Sequence, residues 1–289
     1  MNNIGTDFFV PCIYFSLFII HYLLKMIVDG KKIQDEILEK LKKNFESIFC
    51  AVMAVVWVGD DPATAKFIEY KKKVAEKIGV KLCLFEYEDT ITQADLEKAV
   101  EKLAVDQDIQ GIIVQLPLPK TIDAQKIIEL IPQDKDVDAL GQEARVLSPI
   151  VLAVKEILVK YNISLVSNKF VVVGQGKLVG RPVAVWLAGE GADVVAINSQ
   201  TKDITSQLRQ ADVIISGIGQ PGFIVPEMIK EGVALIDAGT SEQAGRLAGD
   251  IDPACADKAS LFTPVPGGVG PIVLAKLFTN LWKLLKQTK

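Results

Sequence analysis

The sequence predicts an α/β protein of two domains, each a parallel sheet flanked by helices. Three observations carry that prediction. A chain of 289 residues allows two units of about 100 to 200 residues apiece. From Met26 onward, short apolar runs of strand length alternate with segments whose apolar residues fall at helical spacing. Such alternation implies parallel strands joined by crossover helices. Finally, the glycine-rich turn Gly174 to Gly180 joins one such run to one such segment.

Lys31 to Phe45 places Ile33, Ile37, Leu38, Leu41 and Phe45 on one helical face. Ala51 to Val58 is almost continuously apolar and valine-rich, as a strand buried on both faces should be. Pro62 opens a helix through Ile78, and Val80 to Tyr87 is the next strand. Leu96 to Leu103 is helical, Gly111 to Gln115 is a third strand, and Ala124 to Ile131 is helical again. Beyond a break at Ser148-Pro149, a helix spans Val151 to Tyr161. Strands at Phe170 to Val173, Asp193 to Ile197, Asp212 to Ser216 and Ala234 to Asp237 follow, each with a helix beside it. That is a Rossmann-like, dinucleotide-binding order. Pro271 to Leu285 makes the closing helix.

Composition narrows the function. With 49% apolar and 24% charged residues the chain is globular rather than disordered. A formal net charge of −4 argues against a nucleic-acid partner. Cys12, Cys50, Cys83 and Cys255 form no CxxC pair, so neither zinc nor a disulfide framework is indicated and a reducing cytoplasm fits. The single histidine, His21, lies outside the expected globular body, which removes Ser-His-Asp catalysis and His-metal chemistry. No metal site is expected.

Residues 1–25 are apolar. The uncharged run Phe8 to Leu24 has 17 residues and contains Pro11, short of the ~20 that span a membrane. It has no basic leader and no cleavage site. It reads as an over-extended start or an appendage ahead of Met26, with a membrane anchor as the alternative.

Four segments carry chemistry. In Gly174-Gln175-Gly176-Lys177-Leu178-Val179-Gly180, a GxGxxxG turn, the glycines permit a tight reversal and the following helix would aim its positive end at a pyrophosphate. On the helix after Pro62, Thr64, Phe67 and Lys71 share a face; partial burial would lower a lysine there toward a working pKa. Gln115 stands at the carboxyl end of a strand, where parallel sheets place ligands. Thr263 to Pro271 holds three prolines and three glycines in nine residues, a rigid loop that presents Pro264, Gly267 and Gly268 backbone to a ligand. Taken singly, these read equally as a solvated lysine, a strand cap and ordinary turns.

Together they resemble the bifunctional methylenetetrahydrofolate dehydrogenase/cyclohydrolase family. The strings are Gly59-x-x-Pro62-Ala63-Thr64 with Phe67 and Lys71, Gly111 to Pro119, Pro132 to Asp138, Gly249-Asp250-Ile251-Asp252 and Thr263 to Pro271. The resemblance implies a folate-binding catalytic domain over 26–148, with the helix of 271–289 packing back on it. It also implies an NAD(P)-binding domain over 149–270, an active site between the two, and a homodimer. Phe67 would stack on the folate, Lys71 would move protons with help from Gln115, and Asp138 would hydrogen-bond the pterin. Gly174, Gln175, Gly176, Lys177, Val179, Gly180, Ser199 and Thr201 would hold the dinucleotide.

The departures are informative. The aromatic four before the lysine is usually tyrosine, so Phe67 keeps stacking and loses a hydroxyl. Tyr70 directly precedes Lys71 and is expected to be rotated away. The interdomain segment from Ala139 to Pro149 is short, and Ile272-Val273 replaces the usual Met-Thr. Family members that use NADP carry an arginine after the first glycine and a His-Ser-Arg-Thr string, whereas this chain has Gln175 and Asn198-Ser199-Gln200-Thr201. Lys177 and Lys202 could compensate, so NAD or NADP stays open, with a lean to NAD. The expected function is oxidation of 5,10-methylenetetrahydrofolate and hydrolysis of the methenyl product. The alternatives are a dehydrogenase without the hydrolase step and a folate- or nucleotide-binding protein without turnover.

Overall fold

The computed structural model describes residues 25–48, 50–243 and 246–287. The N-terminal apolar run, and with it the choice between surplus start and anchor, lies outside the described residues.

Two parallel sheets organise the chain. The first has three strands in the order β3-β2-β4, with β2 at Ala51–Val58, β3 at Val80–Tyr87 and β4 at Gly111–Val114. Its central strand pairs Ala51 with Val80 and Met53 with Gly111. The second has six strands, β1-β11-β8-β7-β5-β6. These are β1 Met26–Ile27, β5 Lys169–Val173, β6 Asp193–Ile197, β7 Val213–Ser216, β8 Ala234–Asp237 and β11 Leu261–Phe262. The hairpin β9 Ser241–Gln243 and β10 Arg246–Ala248 stands apart. β1 therefore sits not with its sequence neighbours but at the edge of the second sheet, where Met26 pairs with Leu261.

The helices are α1 Gly30–Phe45, α2 Pro62–Lys77, α3 Gln93–Val105, α4 Ala124–Glu129, α5 Pro149–Lys160, α6 Gly180–Gly189, α7 Ile204–Gln210 and α8 Val269–Gln287. Caps set several of their boundaries. Asp61 accepts the Thr64 N–H at 2.8 Å ahead of Pro62, which fixes the start of α2. Thr92 accepts the Asp95 N–H at 3.2 Å and starts α3 before its first apolar residue. α5 starts at Pro149, two residues ahead of the expected Val151, because proline in the first helical turn has no N–H to lose.

One apolar core joins the two sheets through α1, α5 and α8. α8 packs against both α1 and α5, and the Trp282 ring meets Phe45 edge-on at 5.6 Å. The return of the closing helix onto the first domain is thus present. Separate apolar layers cover the outer faces of the two sheets. The strands β2, β4, β5, β7 and β8 are buried on each side, which is why they read as nearly continuous apolar runs, whereas the edge strands β3 and β6 keep exposed positions. Among the described residues, no helix is long and apolar enough to cross a membrane.

Candidate active site

A cavity of about 670 Å³ opens between the two sheets. α2 supplies one wall through Lys66, Phe67, Tyr70 and Lys71, and the end of β4 adds Val114 and Gln115. Facing them are Val179 of the glycine turn, Asp237 at the end of β8 and the loop from Pro264 to Pro271. The structure therefore brings Phe67, Lys71, Gln115, Asp138, Pro264, Gly267, Gly268 and Val179 to one cavity.

Lys71 Nζ donates to Gln115 Oε1 at 2.7 Å, and Gln115 Nε2 donates to the Leu116 carbonyl oxygen at 2.9 Å. The second bond fixes which end of the amide faces the lysine. Burial holds the Lys71 ammonium below the usual lysine range, with the charge of Asp138 opposing. The Asp138 carboxyl is pushed up to about 6, first by burial, with Lys71 opposing and Asp136 adding to the rise. Asp136 is itself buried and accepts the Gly141 N–H at 2.9 Å. Lys71 and Asp138 both have their charged forms disfavoured, as acid-base groups near neutrality require.

Phe67 is 48% exposed and lines the cavity. Thr64, expected on the same face, is taken up by the cap: its hydroxyl donates to Asp61 at 2.8 Å. Tyr70 is a correction. It lines the cavity rather than turning away, because three residues after Phe67 it lies about 60° round the helix, and its hydroxyl donates to Gln34 at 2.6 Å.

At the glycine turn, a Cβ on Gly180 would overlap the Gly174 carbonyl oxygen, and Gly174 has φ +95°. Those two glycines are forced by close approach, whereas Gly176 is exposed with open space where a side chain would sit. No side chain caps α6, so its amino end is left for a ligand. Gln175, Lys177, Ser199 and Thr201 lie outside the cavity wall. Gln175 folds its amide onto the Gly174 carbonyl oxygen at 2.6 Å. Ser199 is exposed in the loop after β6, and the Thr201 hydroxyl accepts the Asn198 N–H at 3.0 Å. That loop adjoins the turn, since Gly174 N–H donates to Ile197 O at 2.9 Å.

Three contributors had weak sequence signals. Gly30 packs so closely on the loop that a Cβ would overlap the Gly268 carbonyl oxygen, and its N–H donates to Gly267 O at 2.9 Å. Asp237 accepts N–H groups of Gly239, Asp250 and Ile251, and burial pushes its carboxyl up to about 6, with Asp250 adding to the rise. Ser148 lines the cavity, and its buried hydroxyl has no hydrogen-bond partner among the described residues. Asp250, within the Gly249-Asp250-Ile251-Asp252 string, accepts from Ser216 Oγ and from the N–H groups of Ile218 and Gln220, each at 2.8 Å. It shapes the loop after β7. Among the described residues no cluster of His, Cys, Asp and Glu could hold a metal ion.

Comparison with known proteins places this architecture. The catalytic-domain model of the tetrahydrofolate dehydrogenase/cyclohydrolase family matches residues 28–138, and its NAD(P)-binding-domain model matches residues 148–289. The bifunctional protein FolD of Halothermothrix orenii is 40% identical over 278 residues, 90% of this chain and 98% of its own. FolD of Bacillus subtilis is 37% identical over 278 residues, 91% of this chain and 98% of its own. The crystal structure of FolD from Campylobacter jejuni superposes with a TM-score of 0.87 at 35% identity, covering 91% of this chain and 99% of that one. The Trypanosoma brucei enzyme, solved with NADP and an inhibitor, superposes with a TM-score of 0.85 at 29% identity, over 91% of this chain and 98% of that one. With both domain models matched in order and relatives aligned over nine-tenths of its length, this chain belongs to the tetrahydrofolate dehydrogenase/cyclohydrolase family.

Proposed function

We infer that the protein oxidises 5,10-methylenetetrahydrofolate to 5,10-methenyltetrahydrofolate with a nicotinamide dinucleotide, then hydrolyses that product to 10-formyltetrahydrofolate. The observation that carries this reading is the convergence of Lys71, Gln115 and Asp138 on one cavity wall opposite Val179 of the glycine turn. Phe67 stacks on the pterin. Above a pH of about 6 the Asp138 carboxylate accepts N–H bonds from that ring, and the backbone of Pro264, Gly267 and Gly268 bounds the slot.

The turn fits a dinucleotide, for Gly174 and Gly180 let the backbone close tightly at the amino end of α6, where no side chain caps the helix. When bound, the nicotinamide supplies the hydride acceptor. The chain's own part in that step is to orient the folate in the cleft and exclude water. In the hydrolysis, Lys71, whose ammonium form burial disfavours, takes a proton from the attacking water, while Gln115 Oε1 accepts one of its N–H groups and holds the side-chain end in place.

The adenosine end favours NAD over NADP. Gln175 turns back on its own turn, and the loop from Asn198 to Thr201 presents amides and hydroxyls without a guanidinium. Family likeness adds a homodimer, to be checked by sedimentation. Protein begun at Met26, given 5,10-methylenetetrahydrofolate with NAD or NADP, should reduce the dinucleotide faster with NAD and should not accumulate the methenyl compound. Reduction with persistent methenyl absorbance would favour a dehydrogenase alone, the reading that the missing hydroxyl at Phe67 supports. Folded protein that reduces neither dinucleotide would overturn the assignment.

A further inference from the structure

We propose that Tyr70 and Gln34 are positioning residues that set the width of the folate slot; the inference rests on the folate reading of the cavity. The slot has two facing walls. One is α2, carrying Phe67, Tyr70 and Lys71, and the other is the Pro-Gly loop from Pro264 together with the first turn of α8 that it runs into, through Pro271. α1 stands behind both and joins them through a single side chain. Gln34, 1% exposed, accepts from the Tyr70 hydroxyl at 2.6 Å and donates through Nε2 to the Pro271 carbonyl oxygen at 2.9 Å.

The amide ends of Gln34 are not interchangeable. Pro271 offers only a carbonyl acceptor, so Nε2 must face it and Oε1 is left for the phenol. The distance between Lys71, next in sequence to Tyr70, and the first turn of α8, where the Pro-Gly loop ends, is thus held by two directional bonds. The loop end of this link is braced again by the Gly30 N–H on Gly267 O at 2.9 Å. Apolar packing is non-directional, and a further polar tie of α2 to α1, the solvent-exposed Lys77–Asp35 pair at 2.6 Å, lies at the far end of α2, away from the slot. The side-chain hydrogen bonds of Tyr70 and Gln34 run to each other and to Pro271, not to the glycine turn of the dinucleotide site. The link should therefore act on folate binding alone.

The test is steady-state dehydrogenase kinetics on Tyr70→Phe and Gln34→Leu, singly and together, with thermal melting to confirm folding. Loss of one neutral hydrogen bond should raise KM for 5,10-methylenetetrahydrofolate about three- to tenfold, while KM for the dinucleotide stays within twofold. The double variant should be no worse than Gln34→Leu alone, because both changes break one link. A folate KM unchanged in Tyr70→Phe, a parallel rise in the dinucleotide KM, or additive losses in the double variant would each overturn the proposal. Absence of turnover in the unaltered enzyme would instead overturn the folate reading itself.

Discussion

Lys71 and Gln115 come from different elements, a helix and the end of a strand, yet their side-chain ends meet at 2.7 Å inside the cleft. That pairing gives the lysine a fixed direction, and burial gives it a lowered pKa. Replacing Lys71 by methionine keeps most of the stem and removes the amine. The hydrolysis of the methenyl compound should fall by about 10² to 10⁴, the usual worth of a positioned acid-base group. Hydride transfer should fall less, which decay and formation of methenyl absorbance will separate.

Asp138 predicts opposite responses of activity and stability to pH. Its carboxyl, like that of Asp237, titrates near 6 in the folded chain against a usual 3.8. The folded state therefore holds protons between about pH 4 and 6 that the unfolded chain has lost, and stability from these groups rises as pH falls through that window. Folate affinity should decline over the same interval as the Asp138 carboxylate is lost. Asp138→Asn should raise the melting temperature at pH 7.5, flatten its acid dependence, and weaken folate binding about 10- to 100-fold. Melting curves and folate KM across pH 5 to 8 check both limbs.

Two glycines of α6 should behave oppositely. A Cβ on Gly180 would overlap the Gly174 carbonyl oxygen, so Gly180→Ala must push the cradle open; a rise of at least about tenfold in dinucleotide KM is expected. Gly189, in the last turn of the same helix, has open space around it. Gly189→Ala should stabilise by up to about 1 kcal/mol without altering kinetics. Denaturant midpoints and dinucleotide KM distinguish the two.

Phe67 offers a gain-of-function test. Its ring is 48% exposed and has space at the cavity mouth. Phe67→Tyr should raise the hydrolase rate relative to the dehydrogenase rate by about tenfold if a phenol there assists proton movement, whereas Phe67→Ala should raise folate KM through lost stacking. The ratio of the two rates in one preparation is the readout.

Much of this was legible because the central strands are buried on both faces. β2, β3, β6 and β8 fall at the residues their apolar runs mark. Helix ends drifted by a turn or less where a cap, rather than an apolar residue, decides the boundary, as Thr92 does for α3. β1 and β11 have two residues each and no period to detect. The hairpin of β9 and β10 is polar and lies off both sheets. Within the site, Lys71, Gln115 and Asp138 were marked by motif. Gln34 and Ser148 carried no signal, since their roles exist only once α1, α5 and the Pro-Gly loop are assembled.

The edge position of β1 reaches beyond the active site. Met26 and Ile27 leave the ribosome long before Leu261 and Phe262, the one strand among the described residues with which they pair. The six-stranded sheet consequently cannot be completed during synthesis of the first half of the chain, and α1 likewise waits for α8. The two halves are sewn together by segments far apart in the order of synthesis. A nascent chain must keep its first helix soluble until the last emerges, and the finished enzyme cannot be divided into halves that each keep a complete sheet.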